Sequence, residues 1–378
     1  MITFNNQHNL YLDLHVLQTV PPANLNRDDT GAPKTATYGG TLRARVSSQA
    51  WKRAMRIRFK EMEVPTLTRT EKLVELIVDN MYYQDNSIDR EKMMEFVKDG
   101  ITNGLKLKFD SKDKLKLSAL LAISPWQVKT LAKTFLEYRD LDWSAKVAKK
   151  SPKELRRNEA KKAIKNALSE QNSLDLALFG RMVADDPELR VEACAQVAHA
   201  ISVNEIVPEY DYYSAIDELQ ADDEQGAAML GDQDFNSSTL YRYTNVNVRE
   251  LIADLGEKDA LNGLQAYIQS FVMSMPTGKQ NSFGARTVPS YILAVLRSDQ
   301  PVNLVESFET PVRSTDGFMK PAVKKLEAEY EKVQKLVNKP LLSQVVSLGV
   351  ESQLPTAENL NELTMEVVSG IKAELAHD

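Results

Sequence analysis

The chain has 378 residues, with 47 Lys and Arg against 53 Asp and Glu, a net charge of −6 and one cysteine. At ~100–200 residues per domain this length allows two to three structural units, and 43% apolar beside 26% charged residues is enough to bury a core. The lone Cys194 excludes a disulfide framework, the N-terminal MITFNNQHNLYLDLHVL lacks the basic start and apolar run of a secretory signal, and no stretch approaches the ~20 apolar residues of a membrane span, so the expectation is a cytoplasmic protein with no membrane partner.

Leu10 to Leu17 alternates, with Leu10, Leu12, Leu14 and Val16 on one face and Tyr11, Asp13 and His15 on the other. That pattern predicts a half-buried strand. A polar loop with Pro21, Pro22, Gly31 and Pro33 follows, and Gly39-Gly40 marks a turn. Thr41 to Ser47 alternates again. Ser48 reads as the N-cap of a helix to about Lys60. Residues from ~65 to ~180 read as helical, at Arg69–Met81, Ile88–Asn103, Trp126–Tyr138 and Pro152–Gln171. A helix is expected at Glu188–Ala198 and a short strand at His199–Val207. The acidic stretch Pro208–Ser238 has no sustained period, and its length predicts a functional protrusion or loop. Tyr241–Val248 reads as a strand, Asp259–Met275 as a helix, Thr277–Asn281 as a polar Gly loop and Ser290–Arg297 as an apolar strand. Helices are expected at Met319–Asn338 and Thr356–Leu375.

Without the helical lobe and the acidic stretch the order is βαββαβ, the ferredoxin-like order, with Thr41–Ser47 as an extra strand. RNA recognition motif domains share this fold and hold RNA on the sheet. The fold class expected is α+β, ferredoxin-like/RRM-like.

Charge is segregated along the chain. Thr30 to Lys60 carries eight Lys/Arg and no acid, and Lys146 to Lys165 carries nine Lys/Arg and two Glu. Val191 to Tyr241 has no Lys or Arg, and ten acids fall between Glu205 and Asp234. Single-sign blocks mark solvated faces or interaction surfaces. Two basic blocks in an acidic chain point to a polyanion met at defined places.

Several motifs, in order, resemble the backbone subunit of the type I-E CRISPR Cascade complex, the CasC or Cse-type RAMP family. They are Leu25-Asn26-Arg27-Asp28-Asp29, Tyr38-Gly39-Gly40, Arg45-Val46-Ser47-Ser48-Gln49 and Lys52-Arg53-Ala54-Met55-Arg56. Further on come Gly180-Arg181-Met182, Ala198-His199-Ala200-Ile201, Tyr241-Arg242-Tyr243 with Asn245-Val246-Asn247, and Gly278-Lys279-Gln280. The helical lobe and the C-terminal tail match weakly. The resemblance implies a ferredoxin-like palm in three parts (1–62, 186–207 and 241–378, the last with C-terminal helices). It also implies an inserted helical fingers domain (63–185) and a thumb loop (208–240). It implies a non-catalytic subunit of a ribonucleoprotein complex for antiviral defence. Copies would associate head to tail along a CRISPR guide RNA, beside other Cascade subunits, and present the guide to target DNA.

A subunit that accepts any spacer must grip phosphates, which position a strand without reading it. Lys34, Lys52, Arg53 and Arg56 supply charge, and Ser47, Ser48 and Gln49 sit at a helix start whose free N–H groups favour an anion. A solvated basic helix is the alternative. Asn26 and Arg27 add loop contacts, while Asp28 and Asp29 brace the loop or its arginines. Lys279 is a second guide contact beside Gly278, which permits close approach of backbone to ligand. The resemblance places Met182 against guide bases, as an alternative to ordinary core packing. It matches Tyr213 and Leu230 to the thumb positions that part the bases, where unstacking costs a few kcal/mol. It assigns Lys149, Lys150 and Lys153 to target DNA, and a plain solvated helix remains open there.

Catalysis has little support. The histidines are His8, His15, His199 and His377, without metal-site spacing, one cysteine cannot build a zinc cluster, and no phosphate-binding G-x-x-x-x-G-K-[ST] loop occurs. No cofactor or metal is expected. The rival readings are a RAMP-family endoribonuclease acting on CRISPR or target RNA, through a histidine or a loop aspartate such as Asp28 or Asp29, and a general single-strand RNA chaperone.

Overall fold

The computed structural model describes residues 9–145, 149–183, 186–215 and 229–377. In chain order they form β1 (Tyr11–Ala23), β2 (Thr35–Tyr38), β3 (Thr41–Val46) and α1 (Ser48–Glu61). Next come β4 (Thr68–Thr70), α2 (Leu73–Gln84), α3 (Arg90–Leu105), β5 (Leu121–Ile123), α4 (Pro125–Glu137), α5 (Pro152–Ser169) and α6 (Leu174–Phe179). Then follow β6 (Ala195–Val197), β7 (Ala200–Ser202), β8 (Glu209–Ala215), β9 (Met229–Asn247), α7 (Val248–Leu255), α8 (Glu257–Met273), α9 (Gln280–Phe283) and β10 (Tyr291–Arg297). Last are α10 (Met319–Val333), β11 (Leu342–Ser347) and α11 (Leu360–Ala376). The chain divides into two units. One comprises Met1–Arg58, Ala195–Arg249 and Leu261–Asp378, and the other Phe59–Cys194 with Glu250–Ala260.

The first unit is built on one sheet in the order β11-β10-β1-β9-β7-β3-β2, every neighbouring pair antiparallel. Its middle, β10-β1-β9-β7, holds the βαββαβ strands in the order 4-1-3-2, which is the ferredoxin-like arrangement within an α+β fold. β2, β3 and β11 widen the sheet at its two edges; β2 and β11, of four and six residues, are not among the strands expected from the sequence. β1 is covered on both faces, not half-buried as its alternation predicts: Asp13 and His15 are each 1% exposed. Leu17, Tyr241, Tyr291, Leu293 and Val295 join Phe308 and Leu326 in a core cluster on one face. On the other face Tyr267 of α8 meets Thr244 of β9 at 2.5 Å. Register between β1 and β9 shifts between Val20 and Ala23, where Pro21 and Pro22 lack the N–H that a ladder needs.

Two expectations need correction. Residues 188–198 are not a helix: a short 3-10 turn at Pro187–Leu189 leads to β6, which pairs with β9. Tertiary pairing overrides the helix-compatible composition there. The acidic stretch is not a loop in its described part. β8 and the start of β9 form a ribbon in continuous register from Glu209↔Phe235 to Ala215↔Met229. Every residue of β8 is exposed, so no buried face imposes a period that sequence could show. Its connection, 216–228, lies outside the described residues.

The second unit is mainly helical, with a core including Leu73, Ile77, Val97, Ile101, Leu131, Phe135 and Ile164. Its helices are shifted by a few residues from expectation, and α4 starts at a capping box of Ser124 and Gln127. The sequence pattern also misses the small β4–β5 pair. The unit reaches beyond 63–185 at both ends. The Phe59 ring stacks on Phe179 at 6.5 Å, the Cys194 N–H donates to the Ala177 carbonyl at 3.0 Å, and Asp254 bonds Asn172. No helix among the described residues is long and apolar enough to cross a membrane.

Candidate nucleic-acid interface

Six residues singled out for RNA line a single groove of about 480 Å³ in the first unit: Asn26, Arg27, Ser47, Gln49, Arg53 and Lys279. They come from three distant segments that β1, α1 and the end of α8 bring together. Arg27, Arg53 and Lys279 face it and no carboxylate lines it. Leu25, Ala54, Ile57 and Met275 give it an apolar floor. Cations above apolar walls can hold phosphates while sugars and bases rest on the floor.

The residue that caps α1 is Ser47, not Ser48. The Ser47 Oγ accepts from the Ala50 N–H at 3.3 Å, while the helix begins at Ser48. Asn26 Oδ1 accepts from the Ser47 N–H at 2.9 Å, which ties the 24–34 loop to the helix start. Among the described residues the Ser48 and Gln49 N–H groups have no partner, so two donors and the positive end of the helix dipole remain at the mouth of the groove. Asp28 braces its own loop: its Oδ1 accepts from the Thr30 hydroxyl at 2.7 Å, the Thr30 N–H at 2.9 Å and the Ala32 N–H at 3.2 Å. The Thr30 hydroxyl bond is the main reason its carboxyl lies below the usual range.

Gly278 does permit a close approach, but to its own chain. A Cβ there would lie 2.2 Å from the Leu25 carbonyl oxygen. That contact seats the 277–279 loop on the 24–25 backbone and turns Lys279, itself at φ 50°, into the groove.

Behind α1 sits a residue that sequence reasoning left without a role. Arg242, 1% exposed, stacks 3.9 Å from the Trp51 ring centroid and 4.8 Å from that of Phe271. It donates to Gln18 Oε1 at 2.7 Å and to the Phe271 and Val272 carbonyls. Burial pulls its guanidinium down to about 9. Arg242 thus joins β1, β9, α1 and the end of α8, the elements that carry the groove. Its signal in the sequence is a lone charged residue in the Tyr241–Val248 strand pattern.

Other expected residues lie elsewhere. Lys52, Arg56 and Ser48 belong to α1 but do not line the groove, whose helical stripe is Gln49, Ala50, Arg53, Ala54 and Ile57. Lys34 lines a small adjoining pocket that shares Leu25 and Asn26 with the groove. Met182 is 84% exposed in the second unit, so it is not core. Lys149, Lys150 and Lys153 are exposed around the start of α5, whose N-cap is Ser151. Tyr213 and Leu230 are exposed on the β8–β9 ribbon, but on opposite faces. Leu230 pairs with Ser214 and so shares the face of Tyr212, whereas Tyr213 pairs with Gly231. A Cβ on Gly231 would lie 2.6 Å from the Tyr213 ring, so this ring lies over the glycine.

His15 is enclosed. Its Nδ1 is 2.9 Å from the Tyr241 hydroxyl, its ring stacks on Tyr243 at 5.2 Å, and burial holds it neutral down to about 3. Among the described residues no group of three or more His, Cys, Asp or Glu could hold a metal ion.

No curated protein matches the sequence. A chain in a solved structure described as "CRISPR RNA-guided surveillance complex, pre-nicking" is similar at 27% identity and a TM-score of 0.79, over 95% of this chain and 99% of that one. A chain of another, "CRISPR RNA-guided surveillance complex", is similar at 24% identity and a TM-score of 0.71, over the same shares. Residues 12–369 match the CT1975-like protein family, which is nearly the whole chain, and the protein belongs to that family.

Proposed function

We propose that this protein is a guide-RNA-binding subunit of a CRISPR surveillance complex, the non-catalytic backbone subunit of a type I-E Cascade. The observation that carries the reading is the carboxylate-free groove where Asn26, Arg27, Ser47, Gln49, Arg53 and Lys279 converge. Its cations and backbone donors suit phosphates, which position a strand without reading it, as a subunit serving any spacer requires. The motif order supports the type I-E assignment, and the similar surveillance-complex chains support the guide RNA and the other subunits as partners. Several copies associate head to tail along one guide, unlike patches meeting in an open array, and hold the guide for pairing with target DNA. The lack of catalysis is supported by the burial of His15 and by the commitment of Asp28 Oδ1 to its loop.

The test is binding of CRISPR guide RNAs with unrelated spacers to the full chain, to Arg27→Ala, Arg53→Ala and Lys279→Ala singly, and to the triple variant that combines them. Each substitution should weaken all guides alike and flatten the salt dependence by about one unit. Unaltered affinity and slope in the triple variant refute the groove. With the partner subunits present, sedimentation should give several copies per guide; one copy at saturation refutes the array. Cleavage of guide or target RNA in the same mixtures, with divalent metal, would restore the endoribonuclease reading.

A further inference from the structure

Beside the groove, basic residues from three separate segments come together where β3 pairs with β7. Arg45 of β3 has its Nε donated to the Thr35 carbonyl at 3.0 Å, which fixes the guanidinium, and its Nη1 lies 3.2 Å from His199 Nδ1. Lys34 enters from the chain before β2: its N–H donates to the Asn26 carbonyl at 2.8 Å, and its carbonyl accepts from the Arg45 N–H at 2.9 Å. Lys34 and Arg45 both line the small pocket that shares Leu25 and Asn26 with the groove. His199 is exposed. An always-charged guanidinium can only donate, so His199 Nδ1 accepts and the ring is neutral with its proton on Nε2. Among the described residues the charges acting on the imidazole are those of Arg45 and Lys34, with no carboxylate, so the cluster is of one sign.

We infer that Lys34, Arg45 and His199 form a second anion site, for a backbone phosphate of the bound single strand, and that His199 takes up one proton as the site fills. The inference rests on the guide-RNA reading of the adjoining groove. The proton comes from solvent and settles on Nδ1. That ends the acceptance from Arg45 and frees the Arg45 Nη1–H, so guanidinium and imidazolium both donate to the same phosphate. Burial first, and then Arg45 and Lys34, hold the His199 imidazole below its ordinary value. A phosphate reverses the two charge effects. Arg45 from β3 and Lys34 from the strand-entry segment are the charged groups that act on it; β7 and its partner β9 add none among the described residues. Binding energy linked to protonation must appear as pH dependence.

The experiment measures guide-RNA affinity of the full chain between about pH 5.5 and pH 8 at constant salt, for the natural chain and for His199→Gln. Affinity of the natural chain should fall roughly tenfold across that range, one pKa unit of linkage. The His199→Gln profile should be flat and meet the natural one at the alkaline end. Parallel profiles overturn the inference while leaving the groove intact; no binding at any pH overturns the groove reading itself. In the same protein, carbon-13 labelling of histidine rings should show the His199 titration moving upward when RNA is added. An equal movement with inorganic phosphate alone would mean that the site takes free phosphate and would overturn its assignment to the RNA strand.

Discussion

Asn26 has two ends with different work. Its Oδ1 accepts the Ser47 N–H at 2.9 Å, and the residue also lines the groove. Asn26→Ala leaves a half-buried backbone donor without its partner and should cost about 1–3 kcal/mol, read as a lower urea midpoint. Asn26→Asp keeps the acceptor and so should keep most of the stability, yet it adds a negative charge to a groove that lacks one, so guide-RNA affinity should drop. Equal behaviour of the two variants in both assays would show that the side chain does not serve as brace and contact together. The asparagine is legible in the sequence as part of a motif. Its bond to Ser47, 21 positions away, is not, because nothing local in the 24–34 loop requires that partner.

Two elements have properties that pairing alone decides. On β1, Asp13 accepts from the Tyr243 hydroxyl at 2.8 Å and burial raises its carboxyl to about 7, while His15 is lowered to about 3. Asp13 contributes stability that is present below its ordinary value of 3.8 and lost as the pH rises to about 7. His15 contributes stability present above 6.5 and lost as the pH falls toward 3. Between these limits the two slopes oppose each other. Asp13→Asn should therefore leave a stability that climbs with pH across this window, by up to about 1.4 kcal/mol per unit. His15→Asn should leave one that falls. Urea unfolding at three pH values between about 4.5 and 6.5 checks the signs, and identical slopes would contradict the burial argument. On the β8–β9 ribbon, Tyr213 covers Gly231 while Tyr212 and Leu230 share the other face. Tyr213→Ala should loosen the ribbon, with faster amide exchange in β8 and β9. Tyr212→Ala with Leu230→Ala should leave exchange unchanged but abolish any periodic tolerance of guide–target mismatches. The reverse assignment of effects would put the wedge on the Tyr213 face.

At the scale of the molecule, the two basic blocks fall into different units, the first around the groove and the second in the helical unit. Lys149, Lys150 and Lys153 crowd the N-terminal end of α5, where the helix dipole disfavours cations. Their placement works against helix stability, which favours a role with an external anion. Replacing all three by alanine should leave stability equal or up to about 1 kcal/mol higher. Duplex DNA binding by the assembled complex should lose about one unit of salt slope per lysine, with guide-RNA affinity unchanged. A parallel loss of guide binding would show that the second block serves the same strand as the first.

The sequence by itself determined the α+β class, the βαββαβ order and the helical lobe, because these rest on hydrophobic period and on Gly and Pro punctuation that local segments carry; of the cations it put forward on α1, only Arg53 lines the groove. It placed the start of α1 within one residue, since a Ser-Ser pair offers two caps and only the Asn26 bond selects Ser47. Tertiary structure alone decided that β8 is a strand, since an exposed ribbon has no buried face to give it a pattern. It alone put Tyr213 and Leu230 on opposite faces, because register across an unseen connection fixes which residues oppose each other. It alone brought Lys279 to Arg53, and His199 to Arg45: those meetings follow from strand order and a glycine packed on a distant carbonyl, and no periodicity within one segment encodes a neighbour from another.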